Sequence, residues 1–220
     1  MVSKPVSKIV SQPVSQPAWT TPALAARRPR AFVPRAIIVA GSAGGVEALL
    51  TLLSIVPPKL HVPLICMLHL PANRDSRLAE LFGERLPVPV REAADKEPIL
   101  DGTVYFAGSG YHLSVEQDRS FSLSCEAPVH FARPAIDVLL TSAADAYGGD
   151  LAAILLTGAN QDGAAGMAYV HARGGLTVVQ DPQDARVATM PRAAIDVSPP
   201  DLVLPLAAIR ELLQLLLEKK

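Results

Sequence analysis

The chain has 220 residues, half of them hydrophobic and 19% charged, with a formal net charge of -1. That length suffices for one full core and that composition excludes a disordered chain, while no apolar run reaches the roughly 18 residues of a membrane span. The charge is uneven: residues 1–35 carry two Lys and four Arg with no acid, about +6, leaving about -7 for the rest. An acidic remainder argues against a nucleic-acid-binding core, which would present a basic face. Cys66 and Cys125 have no partner at metal-ligand spacing and are expected to be buried, reduced, intracellular thiols.

In chain order, residues 1–35 read as a flexible basic tail. Val-Ser pairs recur every four residues, and six prolines prevent a continuous helix. An Arg-rich, acid-free start suggests an organelle transit peptide, but the prolines oppose one; no secretory apolar region is present either. Trp19 leaves a docking role for part of the tail open.

From residue 36 to 220 short apolar runs alternate with helical periodicity. Strands are expected at 36–40, 62–68, 88–92, 103–107, 151–156, 176–180 and 202–204. Helices are expected at 46–56, about 74–85, 134–147, 163–173 and 206–218. Pro57 and Pro58 end the first helix, and Pro134 suits the first turn of the third. Period-two alternation over 112–115 and 121–125 around a polar turn signals a hairpin. The fold class is therefore α/β: a doubly wound, mostly parallel sheet with helices on both faces and an antiparallel edge hairpin.

Ligands of such sheets bind beyond the carboxyl ends of the strands. Three of those ends deliver Ser42 (in Gly41-Ser42-Ala43-Gly44-Gly45), His69 (in His69-Leu70-Pro71) and Asp162 (in Thr157 to Gly163). A hydroxyl, an imidazole and a carboxylate on one rim can form a serine triad, which is defined by geometry and roles rather than by chain order. Ser42 would be the nucleophile, His69 its base and Asp162 the group orienting the imidazole. Backbone N–H groups of Ala43, Gly44 and Gly45 are candidates for stabilising an oxyanion or shaping the turn. Each residue also has a plainer reading: Ser42 and Asp162 as helix N-caps, His69 as a packed or surface residue. The glycines lack the spacing of a dinucleotide site, a P-loop or the G-x-S-x-G elbow, though a phosphate could still sit on the helix N-terminus. The five histidines show no metal-ligand spacing, so neither metal nor cofactor is expected.

Residues 36–205 resemble the catalytic domain of the bacterial chemotaxis protein-glutamate methylesterases, the CheB family. The resemblance rests on the segments around Ser42, His69 and Asp162, and on Ala107-Gly108 to His112, Arg133 to Leu139, Val179 to Pro182 and Met190 to Ile195. It implies the same triad, and a hydrolase that removes methyl esters from glutamates of a chemoreceptor, in some members with glutamine deamidation. The implied partner is a methylated chemoreceptor or similar signalling protein. The protein would be cytoplasmic and would meet a membrane only through its receptor, with no nucleic acid involved. Four positions depart from the family pattern: Ala43 for threonine, Leu68 for glutamine, and Ala159-Asn160 for Met-Gly. Asn160 suits a left-handed turn. These departures imply reduced rate or shifted substrate, and keep open a catalytically weakened receptor-binding module. With only a short tail ahead of the domain, activity independent of phosphorylation of this chain is expected.

Overall fold

The computed structural model describes residues 32–69 and 76–218. Most of the expected tail, Trp19 included, lies outside them. The described elements run β1 (Ala36–Gly41), α1 (Gly45–Leu53), β2 (Leu64–Leu68), α2 (Leu78–Gly83), β3 (Val90–Glu92), β4 (Val104–Phe106), β5 (His112–Val115), β6 (Phe121–Ser124), α3 (Ile136–Tyr147), β7 (Leu151–Leu155), α4 (Ala164–Ala172), β8 (Leu176–Gln180), α5 (Thr189–Val197), β9 (Leu202–Leu204) and α6 (Leu206–Glu218).

Seven strands form one parallel sheet in the order β3-β4-β2-β1-β7-β8-β9. Each of β1, β2, β7 and β8 is buried along its whole length. Continuous apolar runs are what a parallel sheet covered on both faces demands. Successive side chains point to opposite faces. Ile38, Ile65, Met67, Tyr105, Leu155 and Val179 therefore meet Leu139, Leu140, Met167 and Met190 of α3, α4 and α5 in one cluster. The alternate positions face α1, α2 and α6; Phe82 of α2 stacks on Phe106 of β4 with ring centroids 5.0 Å apart.

From β1 the chain moves outward through β2 and on to β4 and β3, then returns to the other side of β1 for β7, β8 and β9. The direction of winding reverses between β1 and β7. Their carboxyl ends consequently open a crevice, the place where such sheets bind ligands.

Four expectations are corrected. The hairpin β5-β6 is a two-stranded sheet of its own, not an addition to the sheet edge. Its apolar side (Leu113, Val115, Phe121) is buried in the same cluster as α3, with Phe121 edge-on to Tyr105 of β4, so the hairpin buries that side without joining a sheet edge. Helix α3 begins at Ile136, past Pro134, because Ala135 is extended with φ -110° and ψ 136°. Helix α5 had no counterpart among the expected elements, although Pro191 in its first turn is a usual start signal. Both cysteines are unbridged, but only Cys66 is buried. Cys125 lies one residue beyond β6 and is exposed, whereas burial pushes the Cys66 thiol far up.

Candidate active site

Ser42 follows β1 and His69 follows β2. Gly41 pairs in register with Leu68, and His69 N–H donates to Gly41 O at 3.3 Å. The two residues thus stand side by side on neighbouring strands, whose usual separation is about 4.8 Å. On the other flank, Ser42 N–H donates to Thr157 O at 2.9 Å just past the end of β7. Ser42 sits at the mouth of the crevice.

The turn after Ser42 is closed by Gly45 N–H donating to Ser42 O at 2.8 Å. Gly44 occupies its third position with φ 82° and ψ 0°, the backbone of a type II turn that disfavours any side chain. A Cβ there would also lie 2.9 Å from Arg186 Cδ and 3.2 Å from Thr157 Cγ2. Gly44→Ala is therefore expected to lower stability by about 1–2 kcal/mol from the left-handed backbone alone, read by urea unfolding. The Gly45 N–H is committed to the turn, so Gly45 shapes the loop and does not donate to an oxyanion. The N–H groups of Ala43 and Gly44 accept no such commitment among the described residues and remain available at the start of α1.

Thr157, buried, fastens this loop from below. Its hydroxyl donates to Ala43 O at 2.8 Å and accepts from Val187 N–H at 2.9 Å. Its own N–H donates to Gln180 Oε1 at 2.9 Å, and Gln180 Nε2 donates to Asp184 Oδ2 at 2.8 Å. Sequence reading did not single out Thr157, since one threonine after a strand carries no distinguishing pattern.

Asp162 is fully buried. Its Oδ2 accepts from His69 Nε2 at 2.8 Å and from Ile136 N–H at 2.6 Å, and its Oδ1 accepts from Asp137 N–H at 3.0 Å. Burial alone would raise its pKa, but the His69 hydrogen bond and the two backbone N–H groups outweigh it and hold the carboxyl below its ordinary value. Asp162 does cap a helix, but not the one it precedes. It supplies the N-terminus of α3, whose own N-cap, Ala135, offers no side chain. Asp137 returns the favour, its Oδ1 accepting from Gly166 N–H of α4 at 2.7 Å. Burial pushes Asp137 above its ordinary pKa, with the Gly166 N–H opposing. This reciprocal capping requires close helices, and Gly166 permits it: a Cβ there would lie 2.7 Å from Leu140 Cβ.

The structure therefore joins His69 to Asp162 and brings Ser42 beside His69 through backbone register. Ser42 Oγ has no hydrogen bond among the described residues, so the third link of the relay is open in this arrangement. Neither Ser42 nor Asp162 caps its own helix; the N-caps of α1 and α4 are Gly44 and Gly163. Asn160 does not adopt the left-handed backbone expected of it; its Oδ1 instead accepts from Asp162 N–H at 3.3 Å, a side-chain turn that orients the carboxylate. Leu68, 2% exposed, fills the space against Gly45, where a Cβ would lie 2.6 Å from Leu68 Cδ2.

A cavity of about 490 Å3 lined by Arg35, His61, Asp101, Arg119 and Tyr147 opens at the opposite rim, since Arg35, His61 and Tyr147 precede β1, β2 and β7. It is separate from Ser42, His69 and Asp162. Among the described residues no group of three or more His, Cys, Asp or Glu could hold a metal ion, and no helix is long and apolar enough to cross a membrane.

A family model described as CheB methylesterase matches residues 37–213. A relative from Leptospira interrogans, 41% identical over 177 residues, is covered over 92% of its length and covers 80% of this chain. A protein-glutamate methylesterase/protein-glutamine glutaminase of Archaeoglobus fulgidus is 33% identical over 187 residues, covering 84% of this chain but 54% of that protein. One of Bordetella parapertussis is 37% identical over 199 residues, 89% of this chain and 57% of that protein. The chain thus spans about half the length of these two relatives. The crystal structure of the Thermotoga maritima CheB methylesterase catalytic domain superposes with a TM-score of 0.78 at 29% identity, covering 84% of this chain and 100% of that one. With a matching sheet, a His–Asp pair and a serine turn on its carboxyl rim, the chain belongs to the CheB methylesterase family.

Proposed function

We propose that this protein hydrolyses glutamate methyl esters on a chemoreceptor-type signalling protein in the cytoplasm, through an acyl-enzyme on Ser42, and that it deamidates glutamine by the same route. The observation that carries the reading is the His69–Asp162 hydrogen bond beside Ser42, on the rim where the sheet reverses its winding.

The pair supports one reading of which nitrogen acts. In the usual serine triad the carboxylate holds Nδ1 and Nε2 takes the proton. Here Asp162 holds Nε2, which donates to it, and Nδ1 is left as the base. As Ser42 Oγ attacks the ester carbonyl, Nδ1 takes the hydroxyl proton and the anionic Asp162 stabilises the imidazolium. Negative charge develops on the carbonyl oxygen. The N–H groups of Ala43 and Gly44, with the positive end of α1 behind them, meet that charge. When the intermediate collapses, the C–O bond to methoxide breaks, Nδ1 returns its proton, and methanol leaves. Water then attacks the acyl-enzyme by the reverse proton path, giving a free glutamate and regenerating Ser42. With glutamine the leaving group is ammonia.

Ala43 offers no side-chain hydroxyl, so backbone donors carry the oxyanion. Thr157 positions that backbone by binding Ala43 O. A small fluorophosphonate should attach to Ser42, as peptide mass spectrometry would show, and methylated receptor should release methanol. A protein that binds methylated receptor while Ser42 stays unlabelled at neutral pH would instead be a docking module, contrary to this reading.

A further inference from the structure

One side chain close to the site is placed at evident cost and returns nothing to the fold. Phe131 is fully exposed, at 105% of its reference area. It stands at the tip of a tight turn in which Val129 N–H donates to Ala132 O at 3.1 Å and Ala132 N–H to Val129 O at 2.8 Å. The two tip residues, His130 and Phe131, both have positive φ, 49° and 62°. Such turns strongly prefer Asn-Gly, because a left-handed backbone is unfavourable for a residue with a Cβ. Leaving a phenyl ring in water also forfeits the stabilisation that its burial would bring. Glycine at 131 would avoid both losses.

The turn is also prevented from folding down. Arg133 Nη1 donates to Cys125 O and Glu126 O, each at 3.0 Å. The buried His112 ring donates from Nε2 to Ala127 O at 3.1 Å and accepts at Nδ1 from Ala135 N–H at 3.2 Å, holding both ends of the loop. Tyr111, itself 47% exposed, is the residue before it.

The loop is continuous with the catalytic pair. His130 Nδ1 lies 3.3 Å from Gln161 Nε2, the residue before Asp162, and His130 Nε2 lies 3.4 Å from Asp137 Oδ2. Asp137 in turn donates its N–H to Asp162. Strained non-glycine backbone gathers at ligand clamps, and rigid aromatic anchors dominate protein recognition.

We propose that Phe131 is a docking residue for the protein substrate, its ring taking an aliphatic or aromatic side chain that flanks the glutamyl ester. The proposal rests on the hydrolase reading above and adds what selects the substrate. A lone methyl ester fills only the crevice; a folded protein also covers the raised ring.

The test is steady-state methanol release from methylated receptor by the unaltered protein, Phe131→Gly and Phe131→Leu. Phe131→Gly keeps the turn, so its melting temperature should stay level or rise. Its KM should rise about tenfold or more with kcat little changed, and Phe131→Leu should recover most of the loss. Ser42 labelling by a fluorophosphonate too small to reach position 131 should proceed at the unaltered rate. Methanol release with the same KM in Phe131→Gly would overturn the docking role and leave the hydrolase reading intact. Absence of release from the unaltered protein would defeat the hydrolase reading, and the substrate proposed here with it. A self-association abolished by Phe131→Gly, with KM unchanged, would assign the ring to a second copy and also overturn the proposal.

Discussion

Ser42→Ala is expected to lower kcat for methanol release by about five to six orders of magnitude, leaving only the rate that binding and the backbone donors supply. On the proposed acyl-enzyme route the Ser42 hydroxyl forms the covalent intermediate, and its loss removes the nucleophile. His69 and Asp162 are bonded to each other independently of Ser42, so the variant should fold normally. Ser42 Oγ makes no hydrogen bond among the described residues, so its removal breaks none. Chemical denaturation should therefore superpose on that of the unaltered protein, while fluorophosphonate labelling disappears. Adding His69→Ala should cost little more, because the two groups act as a unit. A Ser42→Ala protein that released methanol within tenfold of the normal rate would place the nucleophile elsewhere.

Asp162 carries the second large effect, and there activity and stability fall together. Asp162→Asn is expected to reduce kcat by about four orders of magnitude. An amide no longer balances the imidazolium and favours the wrong tautomer. Asp162→Ala adds a structural loss, leaving the N–H groups of Ile136 and Asp137 at the start of α3 without an acceptor, about 1–3 kcal/mol for each. The pH dependence has a definite sign. The folded carboxyl lies below its ordinary pKa, so Asp162 stabilises the fold above the unfolded value, and this contribution is lost as pH falls through the folded one. Asp137 acts oppositely: its raised value favours the fold in acid and loses that contribution as pH rises. Comparing the unaltered protein with Asp162→Asn reads chiefly the first effect, because the Asp162 charge is only one of the causes that raise Asp137. The stability gap measured by urea unfolding should be full at pH 7 and should narrow steadily below the carboxylate range. A gap that widened in acid would contradict the assignment of Asp162 as an anion held by donors.

The family and the sheet were legible in the chain because they depend on local pattern. Continuous apolar runs at 36–41, 64–68 and 151–155 suit strands buried on both faces of a parallel sheet, and the segments after such strands emerge at one rim. That pattern by itself puts Ser42, His69 and Asp162 on one rim. Helix α5 escaped because it has only nine residues and few apolar ones, so its one buried face (Met190, Pro191 and Ala194) is too short to be told from a loop. The hairpin's position escaped because alternation says which side of a strand is apolar but not what covers it.

What only the tertiary structure decided are relations between segments far apart in sequence. Asp162 caps α3 across 26 residues and Asp137 caps α4 across 29, an exchange invisible to capping rules that look a few positions along the chain. Thr157 reaches Ala43 across 114 residues, and the choice of Nε2 as the atom bound to Asp162 follows from where β2 ends relative to α3. The exposure of Phe131 belongs to the same class, since His112, 19 positions earlier, keeps its loop raised. Short-range preference fixes which elements form. Hydrogen bonds to buried donors and acceptors, which no single element can satisfy by itself, then fix how the site is assembled.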